Sequence, residues 1–297
     1  MSEFAGRLRR SPVAIVSGAA LLLLLAAGLG AGWVAPVDVF DPAHANVVDA
    51  NLAPSSTGMF GDRYLLGTDP QGRDLLSAMI YGLRSSLLVG IFSVALAACA
   101  GVTLGLVSGY FGGILDTLVM RAADVQLSFP SILIALLVDG IVRAFLTGNG
   151  HDVLAIPVLI LSIALSYWVQ YARVVRGSVL VERGREYVQS ATVTRVPTHR
   201  ILLTHILPNV LRPVVVLATV NLSLAILAEA TLSFLGVGVP PTEPSLGTLV
   251  RIGGEFLLSG EWWVALLPGG LLVVLCLATN VLGDWLRDVL DPRLDIA

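Results

Sequence analysis

Long stretches without a charge alternate along this chain with short charged segments, and several stretches are long enough to cross a bilayer. A helix needs about 20 mainly apolar residues to do so, because only intra-helical hydrogen bonds satisfy the backbone in hydrocarbon. Five uncharged runs approach or exceed that length: those between Arg10 and Asp38, Arg84 and Asp116, Asp152 and Arg173, Arg212 and Glu229 (with apolar continuation to Val239), and Glu261 and Asp284. Between the second and third of these lies a weaker candidate. From Thr117 to Val142 the chain is helical in character but carries Arg121, Asp124 and Asp139, leaving Val125 to Val138 as its uncharged core. Arg121 can snorkel to the nearer surface and pair with Asp124 one turn on, which allows a span of ordinary length. The pattern predicts an all-α polytopic membrane protein with six transmembrane helices.

Charge then orients the spans. All 18 cationic residues are Arg. With the N-terminus inside, thirteen of them fall on the cytoplasmic side (Arg7, Arg9, Arg10, Arg121, eight from Arg173 through Arg212 and Arg287, and Arg293), against five outside (Arg63, Arg73, Arg84, Arg143 and Arg251). This positive-inside bias predicts that both termini are cytoplasmic. The basic start followed by an apolar run also fits the outline of a signal peptide. However, the uncharged stretch from Ser11 to Val37 far exceeds a signal core of about 7–15 residues, so a retained anchor is expected.

Two segments outside the spans carry pattern of their own. In the external segment, Asp38 to Leu83, Asp69 suits an N-cap and Pro70 a first helical position, with Leu75, Leu76, Met79, Ile80 and Leu83 recurring on one face. That predicts a helix along the membrane surface before the chain turns in, either a collar for the bundle or a docking surface for an external protein. The cytoplasmic loop from Val174 to Leu211 is basic and too long for an idle connector. Pro197 can open a helix and Pro208 can end or kink one, so two short helices joined near Thr194 to Val196 are expected.

Composition removes several function classes. Hydrophobic residues make up 56% of the chain and charged residues 13%, with a net charge of -3 that offers no basic face for nucleic acid. Cys99 and Cys276 lie inside apolar runs and read as packing residues; the four His are scattered, without a His-Glu-x-x-His pair or a Ser/His/Asp arrangement. No metal, cofactor or catalytic residue is therefore expected. A P-loop needs a Lys to reach the phosphates, and this chain has none.

The loop and its neighbours resemble the permease subunits of binding-protein-dependent ABC importers. The family signature is Glu-Ala-Ala, a Gly four residues later and a Leu-Pro near the end. Here it is met by Gln189-Ser190-Ala191, Arg195 and Leu207-Pro208, preceded by Glu186, Tyr187 and Val188. The segments LLGTDPQGRDLLSAMIYGLRSSLLVG, FGGILDTLVMRAADVQLSFPS, EATLSFLGVGVPPTEPSLG and GDWLRDVLDPRL are similar to the oligopeptide/dipeptide/nickel branch, in particular its C-type subunit. The resemblance runs from about Leu65 to Leu294, with Gln189, Ser190, Arg195 and Leu246 as departures.

That resemblance implies a type I ABC importer permease fold in a bacterial plasma (inner) membrane. Residues 1–83 would hold the cytoplasmic tail, first span and external segment, and residues 84–297 a five-helix core with a coupling loop at 174–211. It implies three kinds of partner besides the lipid bilayer: a B-type permease, two cytoplasmic ATP-binding subunits and an external substrate-binding protein. Glu186, Tyr187, Gln189, Ser190, Ala191 and Arg195 would form the ATPase-coupling element, with Arg195 near a positive φ where a Gly is usual. Peptides are the implied cargo, with nickel chelates, haem or glycosides as alternatives.

An ion-coupled secondary transporter is the competing class, since intramembrane carboxylates often mark proton or substrate paths. Asp124 can pair with Arg121, and Asp139 with Arg143. Glu229 has no Arg within helical reach; with Asn221 two turns earlier, it either faces the translocation path or hydrogen-bonds to a neighbouring helix.

Overall fold

The computed structural model describes residues 11–40, 47–145, 150–240 and 243–290. The basic tail at Arg7, Arg9 and Arg10, the side chain of Arg143 with its expected pairing to Asp139, and Arg293 lie outside the described residues. Helix α1 (Pro12–Leu29) begins where Ser11 accepts a bond from the Ala14 amide at 3.4 Å and Pro12 presets φ for the first turn. The chain then forms a two-stranded hairpin, β1 (Ser56–Thr57) and β2 (Arg63–Tyr64), antiparallel with Ser56 opposite Tyr64. Buried Asp49 braces it, accepting from the Met59 amide at 2.9 Å and from the Tyr64 hydroxyl at 3.4 Å.

The surface helix expected from Asp69 does not form. Asp69 instead closes a turn, accepting from the amides of Gln71 and Arg73, each at 2.9 Å, and from Arg73 Nε at 2.7 Å. The true N-cap is Asp74, which accepts from the Ser77 amide at 2.8 Å, and α2 (Leu75–Phe111) then runs 37 residues without interruption. No proline stands between Leu75 and Phe111, so the expected surface helix and the second span are one element. At about 1.5 Å per residue it reaches about 55 Å, well beyond the hydrocarbon core.

The third span is broken. After a reversal through Gly112 and Gly113, both at positive φ, α3 (Gly113–Leu127) and α4 (Ser131–Phe145) meet at 96°. Pro130 disfavours helical geometry at Phe129 and contributes no amide, which accounts for the break. Asp124 pairs with Arg173 at 2.6 Å, across to another helix, and the expected local pair with Arg121 is not made. Asp116 likewise takes Arg176 in a two-pronged pair, with one contact at 2.6 Å.

Helix α5 (Gly150–Arg183) lies along α2 in the same direction. Gly101, Gly105 and Gly109 make the approach possible: a Cβ at Gly105 would stand 2.6 Å from the Ala172 carbonyl, and one at Gly101 2.5 Å from the Trp168 carbonyl. Next come the short α6 (Glu186–Val193) and the long α7 (Thr198–Phe234). Pro208 and Pro213 do not end α7; it widens to a π register over Ile201–Ile206, directly before Pro208. The expected second short helix of the loop is thus the start of the fifth span. Helix α8 (Leu246–Phe256), capped by Ser245, packs against α7 so closely that a Cβ at Gly247 would meet the Ala230 carbonyl at 2.4 Å. Helix α9 (Trp263–Leu290) closes the bundle.

Among the described residues five helices are long and apolar enough to span a membrane, and the bent α3–α4 pair makes a sixth. The main core runs along α2, α5 and α7 and continues into α6 through Val188 and Ala191.

Candidate functional site

Helix α6 projects from one end of the bundle as an elbow between α5 and α7. Only Val188 and Ala191 are buried, packing into the cluster that holds Ile201, Ile206 and Val210. Glu186 sits in the first turn, where a carboxylate complements the helix dipole. The opposite face is free: Glu186, Gln189, Ser190, Val193 and Arg195 are all exposed, Val193 to 82%. An exposed apolar residue ringed by polar ones is the composition of a docking surface.

The helix ends in a Schellman cap. The Val196 amide donates to the Ala191 carbonyl at 3.0 Å and the Arg195 amide to the Thr192 carbonyl at 3.1 Å. This geometry requires a left-handed residue at the position of Arg195, whose φ is 57°. An L side chain there costs about 1–2 kcal/mol that a glycine does not, so the backbone keeps a turn in which Gly is the unstrained choice.

Tyr187 points away from the free face. Its hydroxyl donates to Glu182 on α5 and accepts from Asn209 Nδ2 on α7 at 3.0 Å, while its ring lies near-parallel to His205 at 6.5 Å. Partial burial first, and then the Glu182 carboxylate, raise the hydroxyl above the ordinary tyrosine range, keeping it a donor at neutral pH. Of the six residues predicted for this element, five are exposed and Ala191 is a packing residue; Tyr187, though partly exposed, ties inward through its hydroxyl. Glu182, His205 and Asn209 were missed. Their spacing from Tyr187 carries no local signal, because they belong to the two flanking long helices.

Glu229 and Asn221 lie elsewhere, buried on α7, Glu229 against α2 and Asn221 against α5. Glu229 is fully buried, and its carboxylate oxygens accept from Ser86 on α2 at 2.7 Å and from Ser233 at 2.8 Å. Ser86 Oγ also accepts from the Leu246 amide at 3.4 Å, so one carboxylate joins α2, α7 and the start of α8. Asn221 is buried beside the Tyr171 hydroxyl, short of hydrogen-bonding geometry. Neither residue is in the lining of the two cavities that α7 borders.

Two of the cavities open on a different face of α7. One, of about 200 Å³, lies where the third span breaks and is lined by Ser131, Ser166, Tyr167, Leu224 and Thr231 among others. The other, of about 750 Å³, lies nearer α6 between α5, α7 and α9, with Ser178, Arg212, Val216 and Arg287 in its wall. The break lies opposite the middle of α5, since Ser166 Oγ donates to the Ser131 carbonyl at 3.1 Å and Trp168 Nε1 to Gln126 at 2.7 Å. Irregular backbone at membrane depth is tolerated where it lines an aqueous cavity or is covered by protein.

Residues 101–296 match the family described as the binding-protein-dependent transport system inner membrane component. The chain is 37% identical to the dipeptide transport system permease protein DppC of Haemophilus influenzae, over 99% of its own length and 95% of that protein's. It is 38% identical to the di/tripeptide transport system permease protein DppC of Pseudomonas aeruginosa, over 92% and 86% respectively. Among solved structures it resembles an inward-facing form of the methionine ABC transporter MetNI, with a TM-score of 0.57 and 19% identity over 73% of this chain and 98% of that one.

Proposed function

The chain belongs to the binding-protein-dependent transport system inner membrane components, and from that we propose that it is one permease of an ATP-driven importer of di- and oligopeptides. The observation that carries the proposal is α6: a capped helix, exposed on one face and rooted on the other in the two span helices that flank it. In this arrangement the exposed face, with Glu186, Gln189, Ser190, Val193 and Arg195, docks on a cytoplasmic ATPase subunit. Closing of two such subunits around ATP moves α6, and α5 and α7 move with it, opening the path to alternate sides. Because the chain has no Lys and hence no P-loop, the hydrolytic site belongs to those subunits.

Peptide cargo is inferred from the relatives named above. A second, B-type permease supplies the other half of the path, and an external binding protein delivers the substrate. The α6 end is cytoplasmic: Arg173, Arg176, Arg183, Arg185, Arg195, Arg200, Arg212 and Arg287 all belong to the segments that meet there. The path follows the face of α7 that carries the two cavities, with Ser131, Ser166, Tyr167 and Thr231 offering hydroxyls to a peptide main chain. Glu229 acts as a structural lock between helices.

Deleting residues 186–193, or Glu186→Arg, leaves membrane insertion intact and abolishes both peptide uptake and substrate-stimulated ATP hydrolysis. Normal uptake by a correctly inserted deletion variant would remove α6 from the mechanism.

A further inference from the structure

The Tyr187 hydroxyl is held by groups from two different span helices, neither of them on α6. It donates to the Glu182 carboxylate, one residue before α5 ends, and accepts from Asn209 Nδ2 at 3.0 Å, just past the π segment of α7. Asn209 Nδ2 also donates to the His205 carbonyl at 3.0 Å, inside that segment, and the His205 ring stands 6.5 Å from the Tyr187 ring at 16° to its plane. Apolar contact through Val188 and Ala191 seats α6, but such contact is non-directional and lets a short helix roll. A hydroxyl bonded on both sides prevents rolling and makes the elbow stiff in two directions. The π register places this junction where the helical ladder is already irregular, a place where local adjustment is common.

We infer that Tyr187 is a positioning residue that locks α6 to both α5 and α7, so that movement of the docked ATPase reaches the two span helices together. The inference rests on α6 being the ATPase contact, and it separates two roles within one helix: the outward face with Val193 and Arg195 docks, while Tyr187 transmits. Loss of the hydroxyl leaves the docking face unaltered and loosens the lever.

The test uses the assembled complex of both permeases with the ATPase subunits in proteoliposomes, supplied with binding protein and a radiolabelled dipeptide. Tyr187→Phe and Asn209→Leu are each expected to retain wild-type recovery of the ATPase subunits. Uptake and its stimulation of ATP hydrolysis should fall about tenfold in Tyr187→Phe, which loses the charge-assisted bond to Glu182, and about threefold in Asn209→Leu, which loses a neutral one. The double variant should be no worse than Tyr187→Phe alone. Glu182→Gln, which keeps an acceptor, should retain more uptake than Glu182→Leu. Arg195→Glu, on the outward face, should lose the ATPase subunits instead. Wild-type uptake by Tyr187→Phe, or loss of the ATPase subunits as severe as in Arg195→Glu, would overturn the inference. If the subunits remain fully bound in Arg195→Glu and in Val193→Asp, the docking role of α6 itself fails.

Discussion

Arg195 combines a backbone cost with an exposed charge. Its φ of 57° places an L side chain in the left-handed region, so Arg195→Gly should stabilise the α6 cap by about 1 kcal/mol. The guanidinium stands exposed beside Val193, at the edge of the proposed docking face, where it can meet an acidic group of the ATPase. Arg195→Gly is therefore expected to reduce co-purification of the ATPase subunits at low salt, with the difference from wild type vanishing at high salt. Equal recovery at low salt would remove the ion pair. At Glu229 the expectation is different. Its oxygens serve Ser86 and Ser233, so Glu229→Ala strands buried hydroxyls and should cost about 1–3 kcal/mol, read as a lower unfolding temperature in detergent. Glu229→Gln keeps an acceptor and should preserve most uptake. If the isosteric change instead abolished uptake in a fully stable complex, Glu229 would be carrying protons or substrate.

At the scale of elements, the α2–α5 pair holds the bundle together. Successive glycines one helical turn apart let the backbone of α2 meet α5 directly, and Val175 and Val179 fill the spaces between them. Gly105→Leu should cost at least about 1–3 kcal/mol through overpacking, because the contacted Ala172 carbonyl is backbone and cannot turn aside. The loss should appear as failure to recover an intact complex, with the same change at Gly254, where nothing stands within 4 Å, as a control that is tolerated. Helix α3 contrasts with this pair. Ala123 is its only buried residue, and it reaches α5 through Asp116–Arg176, Asp124–Arg173 and the Gln126–Trp168 bond. Polar ties of that kind hold direction without a dry interface.

For the whole molecule, the proposed assembly makes the isolated chain inert. Purified alone, it should bind no nucleotide in equilibrium dialysis, and a measurable affinity for ATP would contradict the division of labour with separate ATPase subunits. In whole cells, uptake should stop when the partner ATPase is deleted and continue when a protonophore collapses the proton gradient; the reverse pattern would indicate ion coupling. A cysteine placed at Ser190, in a chain whose Cys99 and Cys276 are replaced by Ala, should react with an impermeant reagent in inverted vesicles and not in intact spheroplasts. Labelling from the outside would invert the assigned topology.

Membrane residence, the positions of most spans and a helix break near Thr194 to Val196 were legible in the amino-acid order alone. The reason is that burial in lipid is a local test each apolar run passes by its own length, and capping and turn chemistry act within a few residues. The positive φ at Arg195 is expected from the resemblance alone, which puts a Gly at that position, and the backbone carries it at 57°. What sequence could not specify were the pairings between distant helices. Asp124 had an Arg one turn away and took Arg173 instead; Asp69 looked like a cap and closed a turn while Asp74 capped the helix. Pro130 broke a span, whereas Pro208 and Pro213 did not, because the surrounding bundle decides whether the amide bonds lost at a proline find compensation. Which faces of α7 meet α2 and α5, and so bury Glu229 and Asn221 away from the two cavities on α7, depends on the packing of several helices at once, and only the tertiary structure decides it.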